Sequence, residues 1–160
     1  MSILVTGGCG FIGSHFILDY LAQSPMVNLD KLTYAANPDA LRSVQADPNY
    51  HFIQADVRDE KALAAVFAQH DISALVHFAA HTHVDRSIDE AMPFVENNVQ
   101  GTVALLKQAQ VYYESLPNAK QSKFRFLYVS TDEVYGSLAP EAAPFSESDP
   151  LQARNPYSAS

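Results

Sequence analysis

The sequence predicts an α/β fold, a parallel sheet flanked by helices on both faces, and three observations carry that prediction. Short apolar runs rich in β-branched and aromatic residues recur along the chain, segments of helical period separate them, and the first run leads into a glycine-rich turn, "VTGGCGFIGSH" at residues 5 to 15. Strands that alternate with helices pair in parallel through crossovers, which are right-handed almost without exception.

The elements follow in order. The first strand is "ILVT" at 3 to 6, and the turn after it carries Gly7, Gly10 and Gly13. Gly7 allows the tight turn, Gly10 the close approach of backbone to a pyrophosphate, and Gly13 the close packing of helix on strand, with the helix N-terminus facing the phosphates. Phe11 and Ile12 lie between these glycines and join them as candidate cofactor contacts. A glycine-rich turn with no ligand is the alternative. The second strand, "VNLD" at 27 to 30, argues against it, because Asp30 closes that strand where a dinucleotide's adenosine ribose hydroxyls need an acceptor. An acid there disfavours the extra phosphate of NADP, so NAD is the expected cofactor. Cys9 reads as a small filler in this loop.

The third strand is "HFIQA" at 51 to 55. Asp59 then stands as N-cap of a helix whose Leu63, Val66, Phe67 and His70 fall at i, i+3, i+4 and i+7. The fourth strand is "LVHFA" at 75 to 79, and a longer helix is marked by Val95, Val99, Val103, Leu106 and Tyr113 and ended by "LPNAK". The fifth strand is "FRFLYVS" at 124 to 130. Beyond it, Pro140, Pro144, Pro150 and Pro156 punctuate residues 136 to 156, an irregular stretch long enough to indicate a functional or mobile loop.

Composition narrows the function classes. In 160 residues, 48% are apolar, which supports one globular domain and excludes disorder. The 10 basic and 18 acidic residues give a net charge of -8, which argues against nucleic acid or a membrane surface as partner. Cys9, the single cysteine, cannot form an internal disulfide. No signal-like segment opens the chain and no apolar run reaches spanning length, so a cytoplasmic protein is expected.

"TGGCGFIG", "NLDKLTYAANP", "ADVRD", "FAAHTHVDRS", "NNVQGT", "STDEVYG" and "PYSAS" resemble, in order and spacing, the extended short-chain dehydrogenase/reductases. "KLTYA", "HVDRS" and "STDEVYG" are most similar to the branch that oxidises nucleotide sugars at C4 and removes the C6 hydroxyl as water, with dTDP-glucose the favoured substrate. The resemblance implies a Rossmann-type NAD domain over residues 1 to 160, a lysine at position 161, and a smaller C-terminal substrate domain not present in this chain. It further implies that these 160 residues are inactive alone and that the full-length enzyme is a homodimer.

Site residues follow from the same resemblance. Lys31, Thr33, Asp56, Val57, Phe78, Ala79, Ala80, Asn98 and Ser130 join Asp30 and the glycine loop as cofactor contacts, with Asp56 an acceptor and Val57 an apolar wall beside the adenine. Thr82, His83, Asp85 and Arg86 are implied on the sugar side. Asn98 resembles a helix asparagine that ties the sheet ends together, or is simply a polar residue in the first turn of a helix. Thr131, Asp132, Glu133 and Tyr157 are the implied catalytic set. Eliminating water across C5 and C6 needs a base and an acid, which two carboxyls with separated pKa values provide, and the resemblance makes Glu133 the base and Asp132 the acid. It gives Tyr157 the C4 hydroxyl proton and Thr131 the oxygen. Tyrosine ordinarily titrates near pH 10, so that role needs a nearby cation.

Some positions depart from the pattern, among them His81 and Thr82 before "HVDRS" and Ala36 where glycine is usual. His77, His81 and His83 raise a metal site as a possibility, but a strand and its loop do not fix three histidines on one face, and no metal is assigned. Two other readings stand beside the dehydratase: a nucleotide-sugar epimerase or decarboxylase of the same family, and a non-catalytic dinucleotide-binding module.

Overall fold

The computed structural model describes residues 1–160. In chain order the elements are β1 (Ser2–Thr6), α1 (Phe11–Tyr20), β2 (Met26–Asp30), a 3-10 segment (Pro38–Val44), β3 (Tyr50–Gln54), α2 (Glu60–Gln69) and β4 (Ile72–His77). Short helices α3 (Val84–Asp89) and α4 (Met92–Phe94) come next, then a π-helical turn (Val95–Gln100) and α5 (Gly101–Ser115). α6 (Asn118–Gln121), β5 (Arg125–Tyr128) and a 3-10 turn (Asp132–Tyr135) complete the order. The chain divides into two compact units, Met1–Ala79 with Gln100–Val129 and Ala80–Val99 with Ser130–Ser160.

In the first unit the five strands form one parallel sheet in the order β3-β2-β1-β4-β5, the Rossmann arrangement. Side chains alternate across each strand and so feed two cores. Leu4, Val27, Leu29 and Leu75 face α2 and α5, meeting Leu63, Val66, Phe67, Ala104, Leu105 and Ala109. Val5 and Met26 point the other way, onto Ile17 of α1 and its C-cap Leu21, with Leu41 and Tyr50. Helices therefore cover both faces. Asp59 caps α2 as its position predicts, its carboxylate accepting from the amides of Lys61 and Ala62 at 3.0 Å each. Because all strands run the same way, β1 to β4 deliver Thr6, Asp30, Gln54 and His77 to one edge.

Four expectations need correction. The fourth strand starts at Ile72, since Ile72 and Ala74 pair with Ser2 and Ile3 of β1 across an irregularity at Ser73, and it ends at His77, leaving Phe78 and Ala79 in the following loop. The fifth strand is shorter than 124 to 130, at Arg125–Tyr128. The apolar face of the long helix is also reversed: Val103, Leu106 and Tyr113 are exposed, while Gly101, Ala104, Leu105 and Ala109 are buried. Close approach explains that reversal, because a Cβ on Gly101 would lie 2.7 Å from Cγ2 of Val57. His70, expected on the apolar face of α2, instead leaves the helix as its C-cap with extended backbone, its ring 5.5 Å from that of His51.

The second unit has little regular structure. Residues 136 to 156 hold no helix or strand, only short turns and irregular backbone, as their prolines predict. Tyr135 stacks on Phe145 with ring centres 5.2 Å apart, and Asp149 closes a turn by accepting from the Ser146 amide at 2.6 Å.

Candidate functional site

The glycines after β1 do different work. Gly7 sits at φ +73°, and a Cβ there would meet the Ala79 backbone nitrogen at 2.6 Å, so fold and conformation both require glycine. A Cβ on Gly13 would collide with the Gly7 carbonyl. Gly10 is different: its φ of -76° suits any residue, and its absent Cβ would meet only the Gly7 oxygen, at 3.2 Å. No side chain caps the amides that open α1. Phe11 and Ile12 are 81% and 62% exposed beside them. A cradle with bare amides at a helix start and no packing reason for its central glycine fits a pyrophosphate.

Asp30 is buried at the end of β2 with its carboxylate fixed by two backbone amides, Cys9 to Oδ2 at 2.9 Å and Leu32 to Oδ1 at 2.8 Å. Leu32 adopts φ +59°, a left-handed conformation that costs a branched residue roughly 1–2 kcal/mol, and its bond to Asp30 opposes that cost. An acceptor-only group held this way fits ribose hydroxyls. Under the loop, Asn28 is fully buried and donates to the Tyr50 hydroxyl at 2.9 Å and to Cys9 Sγ at 3.5 Å. Its Oδ1 has no hydrogen-bond partner and occupies the space a side chain at Gly8 would need. Burial, reinforced by the Asp30 charge, raises the Cys9 thiol to about 11, consistent with a filler.

Asp56 follows β3. Its Oδ2 lies 3.3 Å from Lys31 Nζ and 2.9 Å from Arg58 Nη2, and its Oδ1 accepts from the Arg58 amide at 2.9 Å. Burial would raise this carboxyl, but the Arg58 hydrogen bonds and the Lys31 and Arg58 charges outweigh it and hold it at about 2. The Val57 side chain belongs to the core against Gly101, Phe78 packs on Phe16 at 5.5 Å, and the Thr33 carbonyl accepts from the Ala36 amide at 3.0 Å. His77, one of the three histidines, is 1% exposed and bonds through both ring nitrogens, to Thr6 and Thr102. Burial lowers its pKa to about 4.

The second unit holds the remaining candidates. Thr131 caps the 3-10 turn, its Oγ1 accepting from the Glu133 amide at 3.2 Å and donating to Asp132 Oδ1 at 3.4 Å, so Thr131, Asp132 and Glu133 share one turn directly after Ser130. Gly136 ends that turn at φ +89°, where a Cβ would strike the Gln152 carbonyl at 2.6 Å. Tyr157 sits on a second turn. Asn155 joins the two: its Nδ2 donates to Glu133 Oε2 at 3.3 Å while its Oδ1 accepts from the Ser158 amide at 2.8 Å. Gln152 adds a backbone bond to the Val134 carbonyl at 2.9 Å. Phe94 meets the Tyr157 ring edge-on, at 6.5 Å.

Asn98, 3% exposed, lies in the π-helical turn and not in a first helical turn. Its amide bonds to both backbone groups of His81, at 2.8 and 3.0 Å, and to Ser160 Oγ at 2.9 Å, so it ties the loop that begins with Ala80 to the Tyr157 turn. His83 caps α3, its ring accepting from the Arg86 amide at 3.4 Å; Thr82, Asp85 and Arg86 are exposed beside it. No three His, Cys, Asp or Glu side chains converge as a metal site. Sequence reasoning missed Asn155 and Phe94; the "NP" before Tyr157 reads only as a turn signal, and an isolated Phe only as core.

Known proteins resemble this chain in sequence and fold. Residues 4–160 match the family described as GDP-mannose 4,6 dehydratase. The chain is 46% identical to dTDP-glucose 4,6-dehydratase of Haemophilus influenzae, over 100% of this chain and 48% of that protein. It is 44% identical to dTDP-glucose 4,6-dehydratase 1 of Escherichia coli K12, over 100% and 47%. The crystal structure of DesIV, a dTDP-glucose 4,6-dehydratase from Streptomyces venezuelae with NAD and TYD bound, superposes at a TM-score of 0.85 with 44% identity, over 99% of this chain and 48% of that one. A UDP-glucose 4-epimerase from Bifidobacterium longum, in complex with NAD+ and UDP, superposes at 0.81 with 29% identity over 99% and 45%. The chain thus spans about half the length of the curated relatives it matches. No helix is long and apolar enough to cross a membrane.

Proposed function

The chain belongs to the GDP-mannose 4,6-dehydratase family, and from that premise we propose that the protein is an NAD-dependent dehydratase converting dTDP-glucose to dTDP-4-keto-6-deoxyglucose. The observation that carries the reading is the pair of turns in the second unit, where Asn155 joins the turn of Thr131, Asp132 and Glu133 to the turn of Tyr157. An epimerase has use for the tyrosine and none for two adjacent acids. Identities of 44–46% to dTDP-glucose dehydratases, against 29% to the epimerase, support the same choice.

Residues 1 to 160 serve as its NAD-binding domain. Gly7, Gly10, Gly13 and the first amides of α1 hold the pyrophosphate, and Asp30 accepts from the adenosine ribose. When bound, NAD supplies a reversible hydride store, filled from C4 and emptied at C6. The protein's own residues move the protons. Tyr157 takes the proton of the C4 hydroxyl while Thr131 hydrogen-bonds its oxygen. A keto group at C4 acidifies C5, Glu133 removes that proton, and Asp132 protonates the departing C6 hydroxyl. Asn155 aims Glu133.

A cytoplasmic homodimer completes the reading. The exposed stripe of Val103, Leu106 and Tyr113 on α5 supports pairing with a second copy. The test of function is to express the protein from its complete reading frame, incubate it with NAD and dTDP-glucose, and follow the alkali-induced absorbance of a 4-keto product. Conversion of UDP-glucose to UDP-galactose with no 4-keto-6-deoxy product would establish the epimerase instead.

A further inference from the structure

Two cations stand beside the acid expected to exclude NADP. Lys31 follows Asp30 directly, and Arg58 lies just past the end of β3, the strand paired with β2 in register from Met26↔Tyr50 to Asp30↔Gln54. A basic residue near the ribose is how a dinucleotide site accommodates a 2′-phosphate. Asp30 by itself therefore does not account for discrimination against NADP.

Asp56 supplies what is missing. Arg58 approaches its carboxylate with Nε at 3.2 Å from each oxygen and Nη2 at 2.9 Å from Oδ2, while Lys31 Nζ sits 3.3 Å from the same Oδ2. That is the fork a guanidinium offers to a phosphate. We propose that Asp56 is a cofactor-specificity residue: its carboxylate engages Lys31 and Arg58, the cations a 2′-phosphate would otherwise recruit, and so keeps this edge selective for NAD. The inference rests on the dinucleotide-binding reading above and extends it to a residue with no need to touch the ribose. The low pKa of Asp56, about 2, keeps the carboxylate charged across the working pH range.

The charge arithmetic fixes the expected effect. In the native chain the Asp56 carboxylate takes bonds from both Lys31 and Arg58. In Asp56→Asn the edge gains one unit of positive charge, and the Lys31 and Arg58 donors that met the Asp56 carboxylate lose that partner. One hydrogen bond between charged groups is worth about tenfold or more in affinity.

The experiment measures the dissociation constants of NAD and NADP by calorimetry for the native protein, for Asp56→Asn and for Asp56→Asn/Arg58→Gln, at low and at high salt. Expected are an NADP-to-NAD ratio that falls at least about tenfold in Asp56→Asn, salt-sensitive NADP binding in that variant, and restoration of selectivity in the double variant. A ratio unchanged within about twofold, or equal weakening of both cofactors, would overturn the proposal and leave Asp56 as an adenine contact or a brace for the loop. If Asp56→Asn fails to fold, Lys31→Met/Arg58→Gln decides: a proposal that puts Asp56 in charge of those cations requires NAD selectivity to persist there, and its loss refutes it. Native protein that binds neither cofactor would instead overturn the dinucleotide reading itself.

Discussion

Replacing Gly10 by alanine separates what the fold needs from what a ligand needs. Gly10 has φ -76° and ψ 171°, which alanine adopts without strain, and the added methyl meets one atom, the Gly7 oxygen at 3.2 Å, so that neighbour must yield by a few tenths of an ångström. That compression and the weaker N-cap cost roughly 1 kcal/mol, offset by roughly 0.4–1 kcal/mol from the smaller entropy of the unfolded chain. Net stability should change by no more than about 1 kcal/mol, a midpoint shift within about 5 °C. The ligand effect is much larger. A methyl in the cradle pushes a pyrophosphate off amides that form charge-assisted bonds of about 1.5–3 kcal/mol each, so NAD affinity should fall at least about thirtyfold. Gly7→Ala is the contrasting variant, with its Cβ 2.6 Å from the Ala79 nitrogen at a positive φ; it should lose stability first and binding as a consequence. Thermal melts and calorimetric titration with NAD read both quantities. Gly10→Ala protein that melts normally and binds NAD within about threefold of native would refute the cradle.

Other outcomes are expected on the same grounds. Changing Asp132 and Glu133 together to their amides should abolish the 4-keto-6-deoxy product while leaving reduction of NAD by dTDP-glucose measurable at the nicotinamide absorbance, since Tyr157 and Thr131 remain; equal loss of both steps would show that the roles do not separate. Asn155→Ala should lower kcat by about tenfold with KM little changed, because it aims Glu133 without being placed on the sugar; a pure KM effect would contradict that assignment. His77 makes stability depend on pH: its folded pKa of about 4 lies below the ordinary 6.5, so the unfolded chain binds the extra proton and stability falls as pH drops from 6.5 towards 4. Denaturant melts should show a loss of order 3 kcal/mol over that window, and His77→Gln should flatten it. Leu75→Ala, in the fully buried centre of β4, should cost about 2–5 kcal/mol in the same melts.

The parts of the fold that sequence displays are those where one residue type has one physical reason. Strands β1 to β3 end at Thr6, Asp30 and Gln54, close to where their apolar runs end, and Asp59 caps α2 because a short acceptor before an apolar helical period has little else to do. On α5 the apolar residues lie on both faces, and period alone favours the larger ones. The buried face is the small one, Gly101, Ala104 and Ala109 with Leu105, because α5 must approach Val57 closely. The π-helical turn at Val95–Gln100 also breaks the 3.6-residue phase, so Val95 and Val99 set no register for α5.

The candidate site divides in the same way. Thr131, Asp132 and Glu133 are adjacent in sequence and need only a turn to share a neighbourhood, so their grouping is visible in seven letters. Asn155 is 22 residues from Glu133, and its bond needs a chain that folds back, as it does where Gly136, at φ +89°, lies against the Gln152 carbonyl. No spacing rule carries that information. In the glycine loop the division is sharpest. Gly7, Gly10 and Gly13 are the same letter three times in one motif, yet backbone packing demands the first and third and makes only a slight demand on the second. A motif states that glycine is required, and only the surroundings of each Cα state by what.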